Sequence, residues 1–138
     1  IIIVGKGNSN IDQIVESAAK QDKKYVEADA EPEKGYFYRS DHFEFAKVGI
    51  PAFNPNGGVE FLDKEEDWGL DMRERYTDED YHKVSDEVKG YWDLAGAADD
   101  LKLFFEMGRD LANGKAWPEW SESSEFRAVR ELSRAPVQ

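Results

Sequence analysis

The sequence contains no cysteine. Disulfide frameworks, thiolate metal sites and cysteine nucleophiles are therefore excluded. Export remains compatible with that absence, which leaves the compartment open. Histidine is almost as scarce, with only His42 and His82. No His-x-x-x-His or His-Glu-x-x-His spacing exists to build a one-helix zinc site. Positive charge is also short: 18 Lys and Arg face 30 Asp and Glu, for a net charge of −12. That field repels phosphate backbones and argues against a nucleic-acid partner; it modestly favours metal ions and protonated amines, or serves solubility alone, and charge does not decide between these. No apolar run approaches the roughly 20 residues that span a bilayer. The stretch from Ile1 to Val4 is too short for a signal-peptide core. A Gly-x-Ser-x-Gly elbow, a phosphate loop and a Gly-x-Gly-x-x-Gly turn are all missing, so serine-hydrolase and nucleotide-enzyme readings lack support.

What is present is globular. Hydrophobic residues make up 40% and aromatics 13% of 138 residues, enough for one domain with a single core. Ile1 to Val4, all β-branched, reads as a buried strand. A chain that opens on such a strand implies a preceding part of the same domain. Gly5-Lys6-Gly7-Asn8 is a turn. Ser9 and Asn10 offer caps for a helix whose stripe is Ile11, Ile14, Val15, Ala18 and Ala19. Lys24 to Ala28 reads as a second strand and Asp29 to Gly35 as an acidic loop. Ser40 caps a short helix through Val48, with Gly49 in the left-handed position and Pro51 beyond it. Ile50 to Phe53 is a third strand candidate, followed by a long loop from Asn54 to about Tyr76. The clearest helix runs from about Tyr91 to Ala112, with Leu94, Ala98, Leu101, Phe105, Gly108 and Ala112 as its expected buried face, widened by Ala97, Phe104 and Leu111. Trp117, Pro118 and Trp120 form an aromatic tail before a charged helix near Ser124 to Leu132. The alternation of strands and helices predicts an α/β layered fold.

Both histidines keep company with carboxylates. His42 follows Ser40-Asp41 at a predicted helix start, and His82 sits in Thr77-Asp78-Glu79-Asp80-Tyr81-His82-Lys83. Imidazole among carboxylates is the donor chemistry of zinc sites. For a lone histidine with no spaced partner, a local cap or hydrogen bond is the more usual reading, and a catalytic zinc needs about three protein ligands.

Two segments carry a resemblance. Tyr38-Arg39-Ser40-Asp41-His42-Phe43, continuing to Pro51-Ala52, resembles the Ser-Asp-His segment of di-zinc aminopeptidases. Tyr81-His82-Lys83-x-Ser85-Asp86-Glu87 is similar to the late His-x-x-x-Asp segment of that family. The resemblance implies an α/β/α sandwich, here with the N-terminal part of the domain missing. It implies two zincs per complete domain, a peptide substrate, and hydrolysis of N-terminal peptide bonds. By position, His82 matches the last zinc ligand, whereas Ser40, Asp41, His42 and Tyr81 match the wall or supporting shell of the site. The remaining ligands and the general-base glutamate belong to family segments expected upstream of Ile1. Residues 1–115 are thus expected to be the C-terminal portion of a catalytic domain, and 116–138 an aromatic and charged extension. Zinc binding by this chain alone is expected to be weak or absent, and activity with it. The missing half of the domain, or a second copy, is the expected partner. The competing class is a peptidase-like binding or scaffold module that has lost its metals, as in the transferrin receptor ectodomain.

Overall fold

The computed structural model describes residues 1–115 and 117–134. Its architecture is mixed α/β, with a three-stranded sheet and five α-helices among the described residues. Strand β1 (Ile2–Val4) is central and buried, as its β-branched composition requires. It pairs in parallel with β2 (Glu27–Ala28), Ile2 opposite Glu27, and antiparallel with β3 (Asn54–Asn56), Ile3 opposite Pro55. The sheet order is β2-β1-β3. Helix α1 (Ile11–Gln21) makes the crossover from β1 to β2, the connection that parallel neighbours need.

The third strand lies four residues later than the apolar pattern predicts. Ile50 donates its N–H back to the Phe45 carbonyl, so the chain is still closing helix α2 (His42–Lys47) where the strand was expected. Pro55, which has no N–H to give a ladder, is tolerated because β3 is an edge strand. The predicted long loop also contains a helix, α3 (Trp68–Glu79). It is hard to see in sequence because nearly all its side chains are exposed and Gly69 is its one buried position.

Helix α4 (Ala95–Asn113) forms within the predicted span, but its main predicted stripe is exposed, while Phe104 and Leu111 of the widened face are half-buried. Leu103 is 1% exposed, whereas Leu101 and Phe105 are 67% and 68% exposed. The run Leu101-Lys102-Leu103-Phe104-Phe105-Glu106-Met107 carries apolar groups on both sides of the helix, so periodicity alone cannot choose between them. Packing against α1 chooses. Leu103 and Met107 join Ile3, Ile11, Val15 and Ala19 in the first core. Lys24 Nζ fixes the start of α4 through Asp100 at 2.5 Å and Asp99 at 3.1 Å. Full burial of Ile3, Val15 and Leu103 contributes about 1.5–3 kcal/mol each.

A second core gathers on Val4, the β1 residue whose side chain faces the opposite side of the strand from Ile3. Val4, Phe37, Ala46, Trp120 and Phe126 are buried together there, with Phe43 half-buried against them. The aromatic tail supplies Trp120, and the segment after it supplies Phe126. The tail returns to the start of α1, where Ser9 bridges Trp120 and Ser121 donates its N–H to the Asn8 carbonyl at 2.8 Å. Helix α5 (Arg127–Arg134) follows, and its residues Arg130 and Arg134 hold their guanidiniums 5.2 and 5.3 Å from the Trp117 ring centre. No helix among the described residues is long and apolar enough to cross a membrane.

Candidate functional site

The Ser-Asp-His segment is set by what precedes and follows it. A 3-10 turn, Tyr36–Arg39, drops Phe37 into the second core. Gly5, at φ +83°, lets Phe37 approach so closely that a Cβ there would lie 2.2 Å from its ring. Ser40 then adopts an extended backbone. Its Oγ accepts a 3.0 Å hydrogen bond from Asn54 Nδ2 rather than capping the helix, so the segment is tied to the first residue of β3. Asp41 stands at the head of α2, exposed and without a side-chain cap bond.

His42 turns inward. Its ring meets Phe37 edge-on at 4.6 Å, and both ring nitrogens are buried without a hydrogen-bond partner. Burial alone pushes its pKa below the ordinary histidine value, which keeps the imidazole neutral. A buried, unpaired polar group of this kind carries a real cost and calls for an explanation beyond packing.

The second segment follows α3. Asp80 and Tyr81 both return their N–H groups to the Tyr76 carbonyl, ending the helix. His82 then takes a left-handed backbone at φ +59°, a conformation uncommon outside glycine and costly to hold. Its ring lies 4.0 Å from that of Tyr81, and both side chains are exposed. Tyr76 fixes the far end of the loop by donating its hydroxyl to Asp86 at 2.9 Å.

Among the described residues, no hydrogen bond, ion pair or aromatic contact joins the Ser40–His42 segment to Tyr81–His82. Nor do any three His, Asp or Glu side chains converge in a way that could hold a metal. A catalytic zinc takes about three protein donors, so these residues on their own do not fit one. His82 is a single exposed donor.

A different place has the character of a pocket. At the C-terminal end of β1, a cleft of about 710 Å³ opens beside the start of α1, walled by the returning tail. Ligand crevices of α/β sheets form at this end of the strands. Asp12 lines it, only 8% exposed, and its Oδ2 accepts the Gly7 N–H at 2.5 Å. Burial is the main reason its pKa is raised, partly offset by that hydrogen bond and by Lys6. On sequence Asp12 cannot stand in for a family ligand, because one carboxylate on a helix matches no motif. The signal that was there is its setting, one turn into a helix after a strand and a Gly-Lys-Gly turn.

Comparison with known proteins adds one finding. The family model described as peptidase family M28 matches residues 1–105, about three quarters of the chain. No curated protein and no solved structure matches it.

Proposed function

This chain belongs to peptidase family M28, and from that premise we propose that it is the C-terminal portion of a zinc-dependent aminopeptidase domain. The carrying observation is that the family match spans both motif segments while the described residues contain no three-donor cluster. In this reading the complete domain is a three-layer α/β/α sandwich that hydrolyses N-terminal peptide bonds. Residues 1–115 belong to it, and 116–138 form an extension that folds back on the second core. His82 supplies one nitrogen donor, and the other donors and the general base come from polypeptide outside the described residues. Ser40, Asp41, His42 and Tyr81 then shape the wall around it. The outer stripe of α4, with Leu94, Leu101 and Phe105 exposed, supports a further layer over this helix, from the rest of the domain or from a second copy. A soluble surface does not otherwise favour an apolar face on each side of one helix.

A non-catalytic, peptidase-like binding module is the second reading, favoured by the exposure of His82 away from other donors. Zinc titration of the chain separates the two. Weak binding that disappears in His82→Ala is the expected outcome for the aminopeptidase portion. Binding no stronger than that of His82→Ala supports the binding module. Tight, stoichiometric zinc with peptidase activity from this chain alone would overturn both.

A further inference from the structure

We propose that the cleft at the C-terminal end of β1 is a binding site for a primary ammonium group, held by the free carboxylate oxygen of Asp12. None of Ser40, Asp41, His42, Tyr81 or His82 lines this cleft, so the site is separate from the family motifs and independent of the zinc reading.

Three observations carry the inference. The first is the partition of Asp12 itself. The residue as a whole is 8% exposed, Oδ2 is committed to the Gly7 N–H, and Oδ1 has no protein donor among the described residues. Oδ1 is also not among the sealed, unsatisfied atoms of the molecule, so it is open to solvent on a residue that lines the cleft. A desolvated carboxylate with one unpaired oxygen gains most from a charged donor. The second is the nearest cation. Lys6 is spent on Glu16 at 2.9 Å and forms no ion pair with Asp12. The third is the sign of the walls. Asp12, Glu16, Glu119 and Glu122 outnumber Lys6 and Arg127 around the cleft. Arg127 is itself bonded to Glu131 at 2.8 Å, outside it.

These features select the class of ligand. An anion would meet an excess of carboxylates. A divalent metal would need a converging donor set that the described residues do not form. A primary ammonium needs one good carboxylate oxygen and a few neutral or acidic acceptors for its other N–H groups. Ser121 and Glu122 on the tail wall offer those. Because the tail builds that wall, the site exists only while Trp120 keeps the tail docked.

The test is a titration of the full 138-residue chain with leucinamide, followed by amide chemical shifts in NMR. N-acetyl-leucinamide, which lacks the ammonium, is the matched control. Saturable shifts are expected at Gly7, Asp12 and Ser121, absent with the acetylated compound. Asp12→Asn keeps an oxygen acceptor for the Gly7 N–H, so it retains the turn while removing the charge. It should weaken binding by about tenfold or more, the loss expected for one charge-assisted hydrogen bond. Affinity should also rise with pH as the Asp12 carboxyl ionises, in a field that includes Lys6, Glu16, Glu119, Glu122 and Arg127. His82→Ala should leave binding unchanged. Equal binding of the acetylated compound, indifference to Asp12→Asn, or shifts spread over the acidic surface and abolished by salt would each overturn the proposal.

Discussion

The indole Nε1 of Trp120 donates a buried 3.0 Å hydrogen bond to the carbonyl of Gly49, 71 positions earlier in the chain. Gly49 closes α2, the helix that begins at His42. The same indole packs on Phe126, with ring centres 5.0 Å apart. One side chain therefore fastens the aromatic tail to the Ser-Asp-His segment and, through the Ser9 bridge, to the start of α1. The tail is part of the scaffold of both candidate sites.

Trp120→Phe should cost about 1–3 kcal/mol, because it retains the ring but leaves a buried carbonyl unpaired. Trp120→Ala should cost more, about 3–5 kcal/mol, as a large cavity opens. Gly49→Ala should be damaging from the other side of the same contact. Its φ of +83° is left-handed, and a Cβ would lie 2.6 Å from the Arg130 backbone nitrogen. The left-handed backbone alone is worth about 1–2 kcal/mol. Denaturant unfolding measures all three, and a Trp120→Phe variant as stable as the parent would remove the hydrogen bond from this account.

The two faces of α4 make a second pair of predictions. Leu103→Ala should destabilise by about 2–5 kcal/mol, since Leu103 is fully buried against α1. Leu101→Ala should lie within about 0.5 kcal/mol of the parent, as an exposed site does. Reversal of that order would mean that the outer stripe is the true core face of the isolated chain.

Much of the scaffold was legible in the sequence, and its failures have physical causes. The β-branched run of β1 states its burial directly because both faces of that strand are covered, and the stripe of α1 because that helix has one buried face. The face of α4 was misread because Leu101 and Phe105 obey the same period as Leu103 and Met107. Only the neighbour decides between them. Helix α3 was missed because Trp68–Glu79 buries almost nothing, so it carries no stripe. Motif spacing marked His42 and His82, yet it could not reveal that one imidazole is buried without partners and the other lies open on Tyr81. Asp12 carries no motif for a further reason: the cleft it lines is walled by Glu119 to Ser121, more than a hundred residues away.

His42 predicts a pH dependence of stability. Its folded pKa lies below the ordinary value near 6.5 because burial disfavours the imidazolium. Above that pH the histidine is neutral in both states and contributes no slope. As pH falls below it, the unfolded chain takes up the proton first, and stability declines until the folded pKa is reached. His42→Phe should remove this component of the slope and fill the same aromatic environment. Paired urea titrations between pH 7 and pH 5 measure it, and an identical slope in the variant would exclude His42 as its source.

Asp12 predicts the opposite sign. Its folded pKa is raised above 3.8, so the folded state binds more protons than the unfolded chain in the window just above that value. Stability should therefore fall as pH rises through the window, and at neutral pH the ionised carboxylate is a net burden on the fold. Asp12→Asn removes the charge and keeps an acceptor for the Gly7 N–H. The variant should be at least as stable as the parent at pH 7, and it should lose the slope that the parent shows just above pH 3.8. A purely structural carboxylate would behave otherwise: its replacement would cost about 1 kcal/mol or more, as loss of a good helix-start or turn acceptor does. Stability gained at pH 7 together with ammonium binding lost would identify Asp12 as a group kept charged and buried for its ligand, at the expense of the fold.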